Sequence, residues 1–453
     1  MNFRGKKVLV CGMAKSGIAA AELLCHLGAR VTLQDLKKRE EIGDVSLLEQ
    51  SGITVYDGKN PDDIILNQEL VIVSPGIPSD LPFLCKAKEA EIPVWSEVEL
   101  AYLMTPCPVA AITGTNGKTT TTTLAGEMLK SQFPGTAVVG NIGVPYSSMV
   151  EYLTERDWIV AEISSFQLEN THKFHPRISA VLNISPDHLN RHKTIENYIA
   201  TKERIFEKQD ENDFCILNYD DVVCRKMAEK TKAKPFFFSS SRPLVEGIFL
   251  EEDTIKLRWH GLRQNIIHID ELQILGVHNY ENVMAAVAIA LCAGVKMGNI
   301  IKTLKEFKGV AHRIEYVATV DGVDYYNDSK GTNTDASIRA VNAMKKPIVL
   351  IGGGYDKGVS FDDWTATFPG KVKHLVLIGE TAPQIQASAE KNGFTTITNC
   401  DTFEQAVDLC REIAQEGDCV LLSPACASWG MFDNYEQRGD LFKARVRSYL
   451  KSN

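Results

Sequence analysis

Ala110-Ala111-Ile112-Thr113-Gly114-Thr115-Asn116-Gly117-Lys118-Thr119-Thr120-Thr121-Thr122-Thr123 opens as a short apolar strand, turns through two glycines and enters a helix at a Lys-Thr-Thr step. Glycines let the backbone curl so that successive N–H groups aim at one point. The following helix adds the positive end of its dipole there, and Lys118 adds a full charge. Such a loop binds phosphate. The usual pattern places a further glycine at position 112, where this chain has isoleucine. The loop is therefore a shortened variant, and its meaning depends on the residues around it.

A chain of 453 residues is too long for one ordinary core, so two to four domains are expected. Hydrophobic residues at 44% and charged residues at 24% are those of a soluble globular protein. Lys+Arg 49 against Asp+Glu 58 leaves a net charge of −9, which argues against a nucleic-acid partner. An anionic nucleotide could bind only at local basic pockets. The 11 cysteines are scattered with no Cys-x-x-Cys pair, which disfavours a zinc or iron–sulfur framework. Met1 to Lys7 lacks the apolar core of a signal peptide, and the most apolar helix candidate, 283–295, is too short to cross a bilayer. A cytoplasmic location with no membrane span is expected.

At the N-terminal end, Lys7-Val8-Leu9-Val10-Cys11 reads as a buried parallel strand, followed by Gly12-Met13-Ala14-Lys15-Ser16-Gly17 and an Ala/Leu-rich helix. Gly28 suits the left-handed position ending that helix, and Val31-Thr32-Leu33 starts a second strand that ends at Asp35. This is a βαβ unit of Rossmann type. Ala14 stands where the dinucleotide fingerprint has its second glycine, so NAD is disfavoured, while another nucleotide bound more loosely stays open. Leu70 to Val73 is a further strand, and Ser74-Pro75-Gly76-Ile77-Pro78 reads first as plain chain reversal.

A boundary is expected near 95–105, where Pro106 and Pro108 end the preceding helix. Beyond the phosphate loop, Glu162 closes the apolar strand of Trp158-Ile159-Val160-Ala161-Glu162. A carboxylate at a strand's C-terminal end beside a phosphate loop suits Mg²⁺, the alternative being a charge that simply reaches water. A strand from 178 to 184 leads into Ser185-Pro186-Asp187-His188-Leu189-Asn190-Arg191-His192. His188 and His192 have helical spacing, but the zincin glutamate is missing, and a histidine there more often orients a loop than binds Mg²⁺. In the helix from Tyr198 to Phe206, Lys202 and Arg204 are expected on a solvated face. Asn282 is expected to open an Ala-rich helix and to offer its amide to a base edge, unless Asn279 is the cap.

The last third again alternates strands and helices. Asn327-Asp328-Ser329-Lys330-Gly331-Thr332-Asn333 precedes a helix and suggests a second anion site. Gly352-Gly353-Gly354-Tyr355-Asp356-Lys357-Gly358 carries a lysine near its tip. Ser423-Pro424-Ala425-Cys426-Ala427-Ser428-Trp429 leads on to Tyr435-Glu436-Gln437-Arg438-Gly439. Lys330 and Lys357 are either solvated or placed to bind at the C-terminal edge of a parallel sheet. Cys426 has no nearby histidine in sequence and is not expected to be a nucleophile.

Together these pieces resemble the Mur ligases, ATP-dependent amide-bond ligases of bacterial cell-wall precursor synthesis. The resemblance rests on Gly-Thr-Asn-Gly-Lys-Thr-Thr at 114–120, His278-Asn279-x-x-Asn282, Ala311-His312-Arg313 and the 327–333 segment, in that order along the whole chain. It makes the isoleucine at 112 a family trait. Glu162 to Glu169, the 423–429 loop and the 435–439 segment look most like members that add D-glutamate.

The resemblance implies an α/β chain of three domains: a Rossmann-like UDP-binding domain (1–98), a central P-loop-type ATPase (99–308) and a Rossmann-like C-terminal domain with a parallel sheet for the amino acid (309–453). The substrates implied are UDP-N-acetylmuramoyl-L-alanine and D-glutamate, with ATP and Mg²⁺ at two sites, and a monomer is expected. Gly114, Thr115, Asn116, Gly117, Lys118, Thr119 and Thr120 would wrap the ATP phosphates, with Asn282, Arg313 and Asp328 on the nucleotide. Thr119, Glu162, His188 and Lys202, the last as a carbamate, would serve the metal, which reverses the solvated reading of Lys202. Lys118, His188 and Lys202 would be catalytic. Ser16, Asp35, Lys37, Gly76 and Asn141 match contacts to the UDP-linked substrate. Ser164, Lys330, Thr332, Lys357, Ser428 and Tyr435 complete the implied substrate set. Lys15, Leu36 and Lys37 depart from side chains common in relatives. The rival readings are a folylpolyglutamate synthase-like ligase, an ATP-driven switch without ligase chemistry and a dehydrogenase, the last already opposed by Ala14.

Overall fold

The computed structural model describes residues 2–356 and 358–450. Three sheets follow one another along the chain. The first has strands β1 (Lys7–Cys11), β2 (Arg30–Asp35), β3 (Thr54–Asp57), β4 (Leu70–Val73) and β5 (Val94–Ser96) in the order β3-β2-β1-β4-β5, all parallel. Its side chains alternate between two cores: Val8 and Val10 on one face, Leu9 and Cys11 on the other. Both faces are covered, as an all-parallel sheet requires. Gly28 has φ +81° after the helix Lys15–His26, as its place in the sequence suggests.

The second sheet holds β6 (Val109–Thr113), β7 (Ala137–Gly140), β8 (Ile159–Glu162), β9 (Ile178–Val181), β10 (Phe214–Asn218), β11 (Lys234–Ser239), β12 (Gly247–Glu251), β13 (Thr254–Trp259) and β14 (Leu262–His268). Its order is β14-β13-β12-β11-β10-β9-β6-β8-β7, with β13 antiparallel to both β12 and β14 and the other pairings parallel. The sequence reading did not single out β10 to β14. β6 is an interior strand between β9 and β8, and the loop after it opens at the C-terminal edge of the sheet, where doubly wound folds bind ligands.

The first two sheets form one compact unit, 1–268 with 281–304. A single apolar core runs through both, joining Leu24 and Ile72 to Val109 and Tyr146. The helix Glu97–Met104 fastens them with buried carboxylates. Glu99 accepts hydrogen bonds from the backbone N–H groups of His172 (2.9 Å), Lys173 (2.7 Å) and Phe174 (3.1 Å), and Glu97 accepts one from Ser147 (2.6 Å). That helix ends at Met104, ahead of Pro106.

The second unit, 269–280 with 305–453, carries β15 (Glu315–Val320), β16 (Val323–Asn327), β17 (Ile348–Gly353), β18 (Val372–Ile378), β19 (Ile397–Asn399) and β20 (Cys419–Leu422). The order is β15-β16-β20-β17-β18-β19. The expected parallel sheet is present, with one correction: β15 pairs antiparallel with β16 at the edge. Among the described residues no helix is long and apolar enough to cross a membrane.

Candidate active site

The loop after β6 has the geometry its glycines suggest. Gly114 has φ +150° and Gly117 has φ +85°, and Gly117 caps the helix Lys118–Lys130. The segment after β9 holds the loop in shape. Thr115 N donates to Asn183 O (2.9 Å), Asn116 N to Asn183 Oδ1 (2.8 Å) and Thr115 Oγ1 to Ser185 O (3.1 Å). Tyr198 places its hydroxyl 3.2 Å from the same Thr115 oxygen. Asn183 and Tyr198 were not singled out from sequence, because a strand-end amide and a helix tyrosine carry no local signal.

Two lysines converge on this loop. Lys118 Nζ donates to Gly114 O and Thr115 O, both at 2.9 Å. Lys202 Nζ donates to the same Gly114 O (2.9 Å) and to Thr113 Oγ1 (3.2 Å). Lys202 is 1% exposed, which overturns the solvated-face reading of its helix, now Ile195–Glu203. Burial, reinforced by the charge of Lys118, holds the Lys202 ammonium well below the usual lysine range. Two amines on one carbonyl oxygen make a pocket that favours an anion.

Glu162 closes β8 at 2% exposure. Its Oε1 accepts from Asn141 Nδ2 (2.8 Å), while Oε2 is buried without a hydrogen-bond partner. A buried carboxylate oxygen left unsatisfied is costly, and a hard oxygen donor of this kind fits Mg²⁺. Thr119 and Thr120 are buried at the start of the phosphate-loop helix. His188 has φ +52°, at the head of the four-residue helix Leu189–His192. Burial lowers its pKa, with Asp187 opposing and Lys118, Lys202 and Arg191 adding to the effect. Ser164 caps the helix Ser165–Leu168 in a box with Gln167.

Asn282 does not open its helix. That helix starts at Val277, so Asn282 lies in the second turn. There its Oδ1 receives a hydrogen bond from Thr121 Oγ1 (3.3 Å), and a Cβ added at Gly117 would lie 2.1 Å from it. Asn279 is not the cap either, since its Nδ2 donates to Leu275 O (2.7 Å). Replacing Gly117 by alanine is excluded both by φ and by Asn282.

The turn Ser74–Pro78 is more than a chain reversal. With Gly12, Asp35, Leu36 and Asn60, its residues Gly76 and Ile77 line a cavity of about 180 Å³. Asp35 accepts from Met13 N (2.8 Å) and Lys37 N (3.0 Å), which fixes the ends of β1 and β2 around that cavity. Ser16 lies in the first turn of Lys15–His26, outside the cavity lining, and so does the Lys37 side chain.

In the second unit, Asp328 and Ser428 are buried, and Lys330 Nζ stands 5.3 Å from the ring centre of Tyr435. Thr332 N donates to Lys330 O (2.9 Å). Lys357 lies outside the described residues. Arg438 was quoted from sequence without a role, yet it is fully buried and ties two loops together. Its Nε donates to Ser329 Oγ (2.9 Å), its Nη2 to Ser329 O (2.8 Å), and Nη1 and Nη2 to Cys426 O (3.3 and 3.2 Å). Burial brings it down to about 10. An Arg-Gly step after an exposed helix start was the available hint.

Asp328 accepts from Ser423 Oγ (2.7 Å) and Ile314 N (3.3 Å), and Arg313 Nε is buried without a hydrogen-bond partner. Burial pushes the Asp328 carboxyl up to about 7. The folded state therefore holds a proton that the unfolded chain, with a carboxyl near 4, releases sooner. The stability this group contributes is present below about pH 4 and is lost as pH rises through about 7. Asp328→Asn should flatten that decline, by up to roughly 4 kcal/mol across the window. Thermal melts from pH 4 to 8 check it, and parallel curves for parent and variant would assign the dependence to another group.

Comparison with known proteins agrees with this layout. A family profile described as Mur ligase MurD-like, N-terminal domain, matches residues 6–96; Mur ligase middle domain matches 112–290; and Mur ligase, glutamate ligase domain, matches 312–426. The chain is 50% identical over 452 residues to the UDP-N-acetylmuramoylalanine--D-glutamate ligase of Lachnoclostridium phytofermentans, covering 99% of each chain. It is 48% identical to the enzyme of the same name from Lachnospira eligens, covering 99% of this chain and 100% of that one. Among solved structures, the UDP-N-acetylmuramate-alanine ligase of Thermotoga maritima aligns over 99% of this chain and 100% of its own with a TM-score of 0.61 at 18% identity, a likeness of fold. On full-length identity and three matched domains in order, this chain belongs to the Mur ligase family.

Proposed function

We propose that the chain joins D-glutamate to UDP-N-acetylmuramoyl-L-alanine with ATP, releasing ADP and phosphate, in peptidoglycan precursor synthesis. The observation that carries the reading is the convergence of Lys118 and Lys202 on Gly114 O beside the unsatisfied Oε2 of Glu162. The full-length resemblance to D-glutamate ligases supplies the amino acid. Domains bounded at 98 and 308 are part of the proposal, supported by three sheets lying within 7–96, 109–268 and 315–422.

A carboxylate and an amine do not condense in water, because the oxygen to be displaced is a poor leaving group. Phosphorylating the alanyl carboxylate turns that oxygen into a good one. The amine of D-glutamate then adds to the acyl carbon, and the tetrahedral adduct expels phosphate. Gly114 to Thr120 turn their N–H groups and the helix dipole toward the phosphates. Lys118 leaves its carbonyl partners to follow the transferring phosphoryl group. Thr119, Glu162, His188 and a carbamylated Lys202 would hold Mg²⁺ at two sites. When bound, the metal neutralises phosphate charge and polarises the phosphoryl oxygens.

Carbamylation needs the neutral amine, and burial favours that form at Lys202: its nitrogen would add to carbon dioxide and a proton would leave to solvent. Asn141 orients Glu162. Asn282, Arg313 and Asp328 take the nucleotide. Asp35 and Gly76 line the cavity that takes the UDP end, and Ser16, Lys37 and Asn141 would reach the UDP-linked substrate from outside that lining. Ser164, Lys330, Thr332, Lys357, Ser428 and Tyr435 take the acyl acceptor and donor groups. Positioning two reactants in this way can contribute on the order of 7–11 kcal/mol of barrier lowering.

ADP release with UDP-N-acetylmuramoyl-L-alanine, offering D-glutamate, L-glutamate or folate in turn, tests the assignment. Release is expected with D-glutamate alone. Release without any amino acid would favour an ATP-driven switch, and release with folate a folylpolyglutamate synthase-like ligase.

A further inference from the structure

Arg191 joins two parts of the first unit that are far apart in sequence. Its Nε and Nη2 grip both carboxylate oxygens of Glu169 at 2.9 and 2.7 Å. Its Nη1 donates to Pro75 O (2.7 Å) and its Nη2 to Ile77 O (2.8 Å). Those two carbonyls flank Gly76, which lines the cavity on the N-terminal sheet. Glu169 also accepts from Ser79 Oγ (2.6 Å), so the far end of the same turn is held too.

On its other side the guanidinium carbon lies 4.3 Å from the ring centre of Phe166. That ring is 4.9 Å from the imidazole of His188 and stacks on His192 at 5.6 Å. The backbone closes the connection, since Arg191 N donates to His188 O (3.0 Å). The Arg191 side chain is 13% exposed, so losing it would leave mostly buried acceptors short of donors. A planar fork that serves a carboxylate and two carbonyls at once is a task for arginine that lysine does not reproduce.

We propose that Arg191 is a positioning residue coupling occupation of the Gly76 cavity by the nucleotide-diphosphate end of the substrate to the placement of His188 at the ATP site. This rests on the reading of that cavity and of His188 given under the proposed function. A ligand that seats the 74–78 turn in one arrangement also seats the fork, the Phe166 ring and His188. By linkage, each ligand must then tighten the other by the same factor.

The test is calorimetric titration of the full chain with UDP-N-acetylmuramoyl-L-alanine, alone and with saturating Mg²⁺ and a non-hydrolysable ATP analogue. The parent should bind the substrate about tenfold more tightly in the second case, within the usual range for coupled sites. Arg191→Ala should bring that factor close to one, while the analogue alone binds within about twofold of the parent. Arg191→Lys should give a factor between the two. Glu169→Gln leaves the carbonyl bonds in place and should keep most of the coupling, and Arg191→Lys decides the matter if Arg191→Ala fails to fold, since an undiminished factor in it would overturn the proposal. Weaker binding of both ligands with an unchanged factor would make Arg191 merely structural and overturn the proposal. So would a parent that binds both ligands without coupling. A parent that binds no UDP-linked substrate overturns the assigned function, and this inference with it.

Discussion

Lys118→Ala should lower ligase turnover by about 10³-fold, the scale seen when a cation or donor aimed at a transferring group is removed. In the structure Lys118 Nζ rests on Gly114 O and Thr115 O at the mouth of the helix Lys118–Lys130. Lys202 does not replace its reach, because it is buried and already donates to Gly114 O and Thr113 Oγ1. Folding should change little, by about 1 kcal/mol or less, since Gly114 O keeps the Lys202 donor. Initial rates of ADP release, with a thermal melt alongside, separate the two effects. Near-parental turnover in a folded variant would remove Lys118 from the phosphate site.

Lys202→Ala should lower turnover by about 10²- to 10³-fold, and bicarbonate should not restore it, because the amine that takes up carbon dioxide is gone. The stability response goes the other way from that of an ordinary buried residue. Lys202 shares a carbonyl oxygen with Lys118 and has its ammonium disfavoured by burial. Lys202→Met keeps the packing and removes both penalties, so it should melt at or above the parental temperature while remaining inactive. An active Lys202→Met variant would sink the carbamate assignment. A marked loss of stability in that variant would mean that the ammonium form is favoured in the folded chain.

Much of the site was legible where chemistry is local. The Gly114 and Gly117 conformations, the strand-end place of Glu162 and the left-handed Gly28 all follow from residues within a few positions of one another. The readings that changed were those that depend on partners far along the chain. Lys202 looked solvated because its helix has alternating polar faces, but the face carrying it packs on Thr113 and Gly114, 89 and 88 residues away. Asn282 looked like a helix start, yet its amide closes on Thr121, 161 residues earlier. The antiparallel edge strand β15 was missed because an edge strand needs only one partner, and its burial alternates weakly.

By itself the sequence determined a glycine loop leading from a strand into a helix, three successive α/β segments and the order of motifs that marks a Mur ligase. Backbone preference and hydrophobic period are properties of neighbouring residues, so they can be read along the chain. Only the tertiary structure decided that Lys118 and Lys202 meet on one oxygen, that Glu162 Oε2 is left unsatisfied, and that Arg191 spans from Glu169 to the Gly76 turn. Those facts depend on which distant groups exclude water from a given atom, and burial of that kind is settled only when the sheets pack.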